Sequence, residues 1–164
     1  LAVAAGGVTP GKRWPAERFA AVARRLAGGP LSGARIVLLG AAARDAETTR
    51  SIASSLEADE VQALDLGARL ELLAAAALLE QATLCIGNDN ALTHIAAAVG
   101  APTLTLFGPT DERVRAPYGP RTRTLRGRPL EEIAGSDASK AMDDLSIDAV
   151  EASALDLLHA GGLR

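Results

Sequence analysis

The stretch Thr83-Leu84-Cys85-Ile86-Gly87-Asn88-Asp89-Asn90-Ala91-Leu92-Thr93-His94-Ile95-Ala96-Ala97-Ala98-Val99-Gly100-Ala101-Pro102-Thr103-Leu104-Thr105-Leu106-Phe107 decides the fold. Thr83–Ile86 is a short aliphatic run of the kind a buried strand needs. Asp89 or Asn90 is a natural N-cap, and an apolar, alanine-rich helix follows over Ala91–Val99. Gly100 and then Pro102 stop it. Thr103–Phe107 is a second buried-strand run. Strand, helix and strand in immediate succession make a βαβ unit, whose strands lie parallel and are covered on both faces.

The alternation continues outward from this unit. Upstream, Leu1–Ala5 reads as a strand ending in Gly6-Gly7. A helix follows with Pro15 in its first turn and Phe19, Val22, Ala23 and Leu26 at helical spacing, and it ends at Gly28-Gly29-Pro30. Ala34–Leu39 is a strand, Asp45–Leu56 a helix, Val61–Leu64 a strand and Leu70–Leu79 a helix. Downstream, Thr122–Leu125 is a weaker strand candidate, Arg126–Asp144 reads as irregular surface, and Ile147–Leu158 is an amphipathic helix. The pattern predicts an α/β fold, a Rossmann-like doubly wound parallel sheet of about six strands. No repeat or linker divides residues 1–164, so a single domain is expected.

Composition narrows the chemistry. The chain has 164 residues, 48% of them hydrophobic but only 2% aromatic, so its core must be built from Ala, Leu, Val and Ile. A net charge of -3 gives no general attraction to nucleic acid, and no nucleic-acid partner is expected. Cys85 is the only cysteine, which excludes a disulfide within the chain, and on a buried strand it reads as a small core residue. With no His/Cys or acidic cluster, no metal is implied. Phosphate-loop, G-x-G-x-x-G, H-E-x-x-H and nucleophile-elbow patterns are absent. No apolar run approaches the length of about 20 residues that spans a bilayer. The chain opens on Leu1, already within a strand, which predicts further sequence upstream.

Parallel sheets bind ligands beyond the carboxyl ends of their strands, so the loops there carry the functional expectation. At Gly87–His94 the free amides of Asn90, Ala91 and Leu92 point out of the sheet edge, where the helix dipole favours an anion. Ala91 is small enough for a phosphate to approach, and His94 lies one turn in on the same side. The same residues also read as an ordinary capped helix with a packed histidine. Gly108-Pro109 is a stiff turn that presents the Thr110 hydroxyl at the same edge. In Thr9–Pro15, Lys12 and Arg13 stand where they face a diphosphate, or else form a solvated basic loop with Trp14 anchoring the helix. Asp45, after Gly40-Ala41-Ala42-Ala43, is placed either to take a ribose hydroxyl pair or simply to start its helix.

Four pieces in order resemble the ADP-heptose:lipopolysaccharide heptosyltransferases of glycosyltransferase family 9. They are Lys12-Arg13-Trp14-Pro15, Leu39-Gly40 with an acidic residue after it, Ile86 to Pro102, and Leu106-Phe107-Gly108-Pro109-Thr110-Asp111. The third is the specific one, where the family reads D-[ST]-G-x-x-H-x-x-A-A and then G-x-P. Asn90 and Ala91 depart from it, standing where Ser or Thr and Gly are usual, which leaves donor preference open. Cysteines frequent near the family's C-terminus are also absent, and Met142 stands alone there.

The resemblance implies one half of a GT-B fold, the C-terminal half that binds ADP-heptose or a related nucleotide sugar. It implies Lys12 on the diphosphate, Asp89 on the sugar, the amides of Asn90 and Ala91 on phosphate with His94 in support, Asp45 on the ribose, and Ala68 beside adenine. Gly108 and Thr110 complete this donor-binding edge. Heptose would pass with inversion to lipopolysaccharide core or a related lipid-linked glycan. The general base would come from an N-terminal acceptor domain, so no catalytic residue and no cofactor is expected here. A cytoplasmic place is implied, peripheral to the inner membrane through that other domain. Two alternatives stay open: half of a nucleotide-sugar 2-epimerase, which needs a pair of acid–base carboxylates, and a non-catalytic flavodoxin-like nucleotide-binding module.

Overall fold

The computed structural model describes residues 1–133 and 135–160. Its centre is one six-stranded sheet of β1 (Ala2–Ala4), β2 (Ile36–Leu39), β3 (Ala63–Gly67), β4 (Cys85–Asn88), β5 (Thr103–Phe107) and β6 (Thr122–Arg126). The strands lie in the order β3-β2-β1-β4-β5-β6, and every neighbouring pair is parallel. The helices are α1 (Ala16–Gly28), α2 (Ala46–Ala58), α3 (Leu72–Glu80), α4 (Ala91–Ala98), a single turn α5 (Glu112–Arg115) and α6 (Ile147–Ala160). This is the Rossmann-like doubly wound sheet expected from the alternating pattern. Among the described residues no helix is long and apolar enough to cross a membrane.

Side chains alternate across a strand, so each strand supplies two cores. Val3, Ala5, Ile36, Leu38, Ile86, Leu104 and Leu106 face one way, against Phe19, Val22 and Leu26 of α1, Ile52 and Leu56 of α2, and Val150, Ala154 and Leu157 of α6. Ala2, Ala4, Leu39 and Cys85 face the other way, against Ala75 and Leu79 of α3 and Leu92 and Ala96 of α4. Burial holds the Cys85 thiol neutral and pushes it up to about 12. A thiol-alkylating reagent should therefore leave the native chain unmodified and label Cys85 only in denaturant. Rapid labelling of native protein would contradict this packing.

Three expectations need correction. β4 runs to Asn88 rather than ending at Ile86, because Gly87 and Asn88 continue the ladder opposite Thr105 and Leu106. Asn88 is buried there, its side-chain amide donating to the carbonyls of Ala5 (2.7 Å) and Gly6 (3.2 Å). β3 begins at Ala63 and ends at Gly67, later than its apolar residues suggest. It is an edge strand on which Leu64 is 56% exposed, so hydrophobicity does not mark its bounds. Arg126 ends β6, and the stretch after it is not all surface: Ala141 and Met142 are buried, as is the following Leu145.

Candidate functional site

The strand order reverses between β1 and β4, since β1 leads outward to β2 while β4 leads to β5. In doubly wound sheets the crevice beyond such a switch point takes the ligand. The loops leaving β1, β4 and β5 bring Lys12, Asp89 and Thr110 together at this place. Lys12 Nζ donates to Asp89 Oδ2 at 2.7 Å, and Thr110 Oγ1 donates to the same oxygen at 2.7 Å. Asp89 is only 8% exposed. His94 is 46% exposed, with Nε2 3.9 Å from Asp89 Oδ1, so it stands at the rim and is not a packed core histidine.

Each of these side chains is held by its backbone. Asn90 caps α4, its Oδ1 accepting from Leu92 N (2.9 Å) and Thr93 N (3.3 Å). Its Nδ2 donates to the carbonyls of Ala4 (2.9 Å) and Gly6 (3.0 Å), which ties the α4 mouth to the end of β1. Leu92 N is therefore spent on the cap. The amides of Asn90 and Ala91 have no acceptor among the described residues, and Ala91 is exposed beside them.

Lys12 sits in a tight turn over Pro10–Lys12, followed by the buried Trp14. Gly11 in that turn lies so close to Gly108 that a side chain on Gly108 would strike the Gly11 carbonyl. Gly108 thus sets how near the Lys12 turn comes to the end of β5. Arg13 folds back on its own loop, Nε donating to the Gly7 carbonyl at 2.8 Å.

Two of the expected residues lie elsewhere. Asp45 is 2% exposed, and its carboxylate accepts from Gly7 N (3.3 Å), Ala41 N (3.0 Å) and Ala42 N (3.0 Å). It ties the loop after β2 to the loop after β1, so the expected ribose contact is not open to it. Ala68 is half-buried in a separate shallow cleft of about 290 Å³ at the end of β3, with Thr49, Arg50, Asp65 and Arg69. A cleft of about 510 Å³ lies at the opposite end of the sheet, between Ala53, Glu57 and Glu60, and has no cationic lining.

Sequence reasoning passed over two supporting residues. Asn88 also accepts from Trp14 N at 3.1 Å, so one buried side chain ties the first loop to β4. Arg126 of β6 is largely buried and donates to the carbonyls of Gly108 (2.7 Å) and Thr110 (2.5 Å) while pairing with Glu112. That pairing holds the Glu112 carboxyl below its ordinary range. Arg126 thereby fixes the turn that carries Thr110.

Residues 1–145 match glycosyltransferase family 9 (heptosyltransferase). The chain belongs to this family. It is 27% identical over 153 residues to lipopolysaccharide heptosyltransferase 2 of Salmonella typhimurium, covering 92% of this chain and 43% of that one. A family 9 glycosyltransferase structure from Veillonella parvula superposes with a TM-score of 0.83 at 26% identity, over 97% of this chain and 45% of that chain. The structure of E. coli ADP-heptose lipopolysaccharide heptosyltransferase II gives a TM-score of 0.82 at 24% identity, over 98% of this chain and 46% of the other. The family 9 chain thus spans a little under half the length of these relatives.

Proposed function

We propose that residues 1–164 form the C-terminal, donor-binding domain of a GT-B glycosyltransferase that moves heptose from ADP-heptose to lipopolysaccharide core or a related glycan. The observation that carries this reading is the meeting of Lys12, Asp89, Thr110 and the open amides of Asn90 and Ala91 at the switch point. A cation, a hydroxyl and unpaired main-chain amides together suit a diphosphate, and an acidic group beside them suits a sugar's hydroxyls. Family membership supports the reaction class, and the shortness of the chain relative to its relatives supports a second, acceptor-binding domain.

In an inverting transfer, the acceptor oxygen bonds to the sugar's anomeric carbon as the bond from that carbon to the diphosphate breaks. The base that removes the acceptor proton belongs to the other domain in this reading, which also brings the lipid-linked acceptor and a peripheral place at the cytoplasmic face of the inner membrane. The work of this half is to hold the departing diphosphate, whose growing negative charge Lys12 and the α4 amides stabilise. The cleft at Ala68 is the place for adenine.

Calorimetric titration of the chain with ADP-heptose, ADP, adenosine and nucleotide sugars of other bases tests this. We expect weak binding of ADP and ADP-heptose and no glycosyl transfer by the chain alone. Transfer by this chain alone, or a preference for a uridine-based sugar, would refute the assignment.

A further inference from the structure

Asp89 presents two unlike oxygens. Oδ2 is saturated, accepting from both Lys12 and Thr110, while Oδ1 has no hydrogen-bond donor among the described residues. With the carboxylate largely buried, water can take over little of this interaction. The lysine and hydroxyl that suit a diphosphate are thus already engaged by an anion of the chain itself. An incoming diphosphate competes with Asp89 for these donors, and it lies beside a carboxylate whose Oδ1 has no donor among the described residues. Both effects oppose a bare diphosphate. A sugar attached to that diphosphate changes the balance, because its hydroxyls are donors that can satisfy the carboxylate.

We propose that Asp89 is the internal counter-anion of this site and makes firm diphosphate binding conditional on an attached polyhydroxyl sugar. The inference rests on the nucleotide-sugar reading above and adds a direction to it. Once the sugar has left, Asp89 loses its hydroxyl donors and takes Lys12 back, which favours release of the nucleoside diphosphate. Asp89 is then a specificity-determining residue that acts against the product as well as toward the substrate.

The test is Asp89→Asn, which keeps the size of the side chain and removes its charge. The full chain and this variant are titrated with ADP, ADP-heptose and adenosine, after thermal melts establish that both are folded. We expect ADP to bind about tenfold more tightly to the variant, as like charge is removed beside the diphosphate. ADP-heptose should gain less or lose affinity, and adenosine should be unchanged. Weaker or unaltered ADP binding with adenosine binding intact would overturn the inference, as would equal affinities of the unaltered chain for ADP and ADP-heptose. Should the unaltered chain bind none of these ligands, the nucleotide-sugar reading itself fails, and the inference with it, before the variant is considered. If Asp89→Asn does not fold, Asp89→Ser is read by the same criteria.

Discussion

Trp14→Ala should lower the unfolding free energy by about 3–5 kcal/mol, the usual cost of emptying a tryptophan site in a core. Trp14 is 1% exposed, and its ring meets Phe19 edge-on at a centroid distance of 5.0 Å. Its indole Nε1 donates to the Leu145 carbonyl at 2.9 Å, linking the first loop to the segment before α6. In a core that is otherwise nearly all aliphatic, few neighbours can expand to fill the space. Urea unfolding followed by circular dichroism measures the loss, since the only tryptophan is gone from the variant. Trp14→Phe should cost much less: it keeps an aromatic partner for Phe19, and Arg18 still donates to the Leu145 carbonyl at 2.9 Å. Equal losses in the two variants would mean that the indole hydrogen bond, and not the packing, holds this loop.

The sequence was most legible where one physical signal dominated. The β4–α4–β5 unit joins two aliphatic runs through a capped, alanine-rich helix, and both its existence and its ligand-facing loop follow from that pattern. Lys12, Asp89 and Thr110 each stood out as polar groups just past a strand end, and the strand order then brought them together. Residues whose role depends on a distant partner are not legible from their local sequence. Asp45 follows a glycine at a strand end, as a ribose-binding acid does, yet it faces inward because Gly7, Ala41 and Ala42 offer it three amides. Only the fold places the first of those donors beside it. Arg126 opens the stretch that reads as irregular surface, and nothing local signals that two turn carbonyls and Glu112 surround it. Asn88 hides in the same way, as a polar residue beyond an apolar run whose partners are the carbonyls of another strand's loop.

Lys12→Ala should weaken ADP binding by about 1.5–3 kcal/mol, the range of a hydrogen bond to a charged group. In affinity that is about ten- to 150-fold. Adenosine, which carries no phosphate, should bind the variant as it binds the unaltered chain. Two effects add in the loss. The diphosphate forfeits its cation, and Asp89 forfeits the partner that stands 2.7 Å away, so its charge beside the ligand is less compensated. Lys12→Arg separates charge from shape: it restores the cation, but its wide planar head does not reproduce a compact ammonium in a turn pressed against the end of β5. Affinity for ADP should therefore recover in part. The competing account is that Lys12 serves the fold, by pairing with a largely buried acid and pinning the first loop to α4. On that account Lys12→Ala lowers the melting temperature and reduces adenosine and ADP binding by the same factor. Titrating both ligands against one variant preparation decides between the accounts, because only a phosphate contact makes the two losses differ.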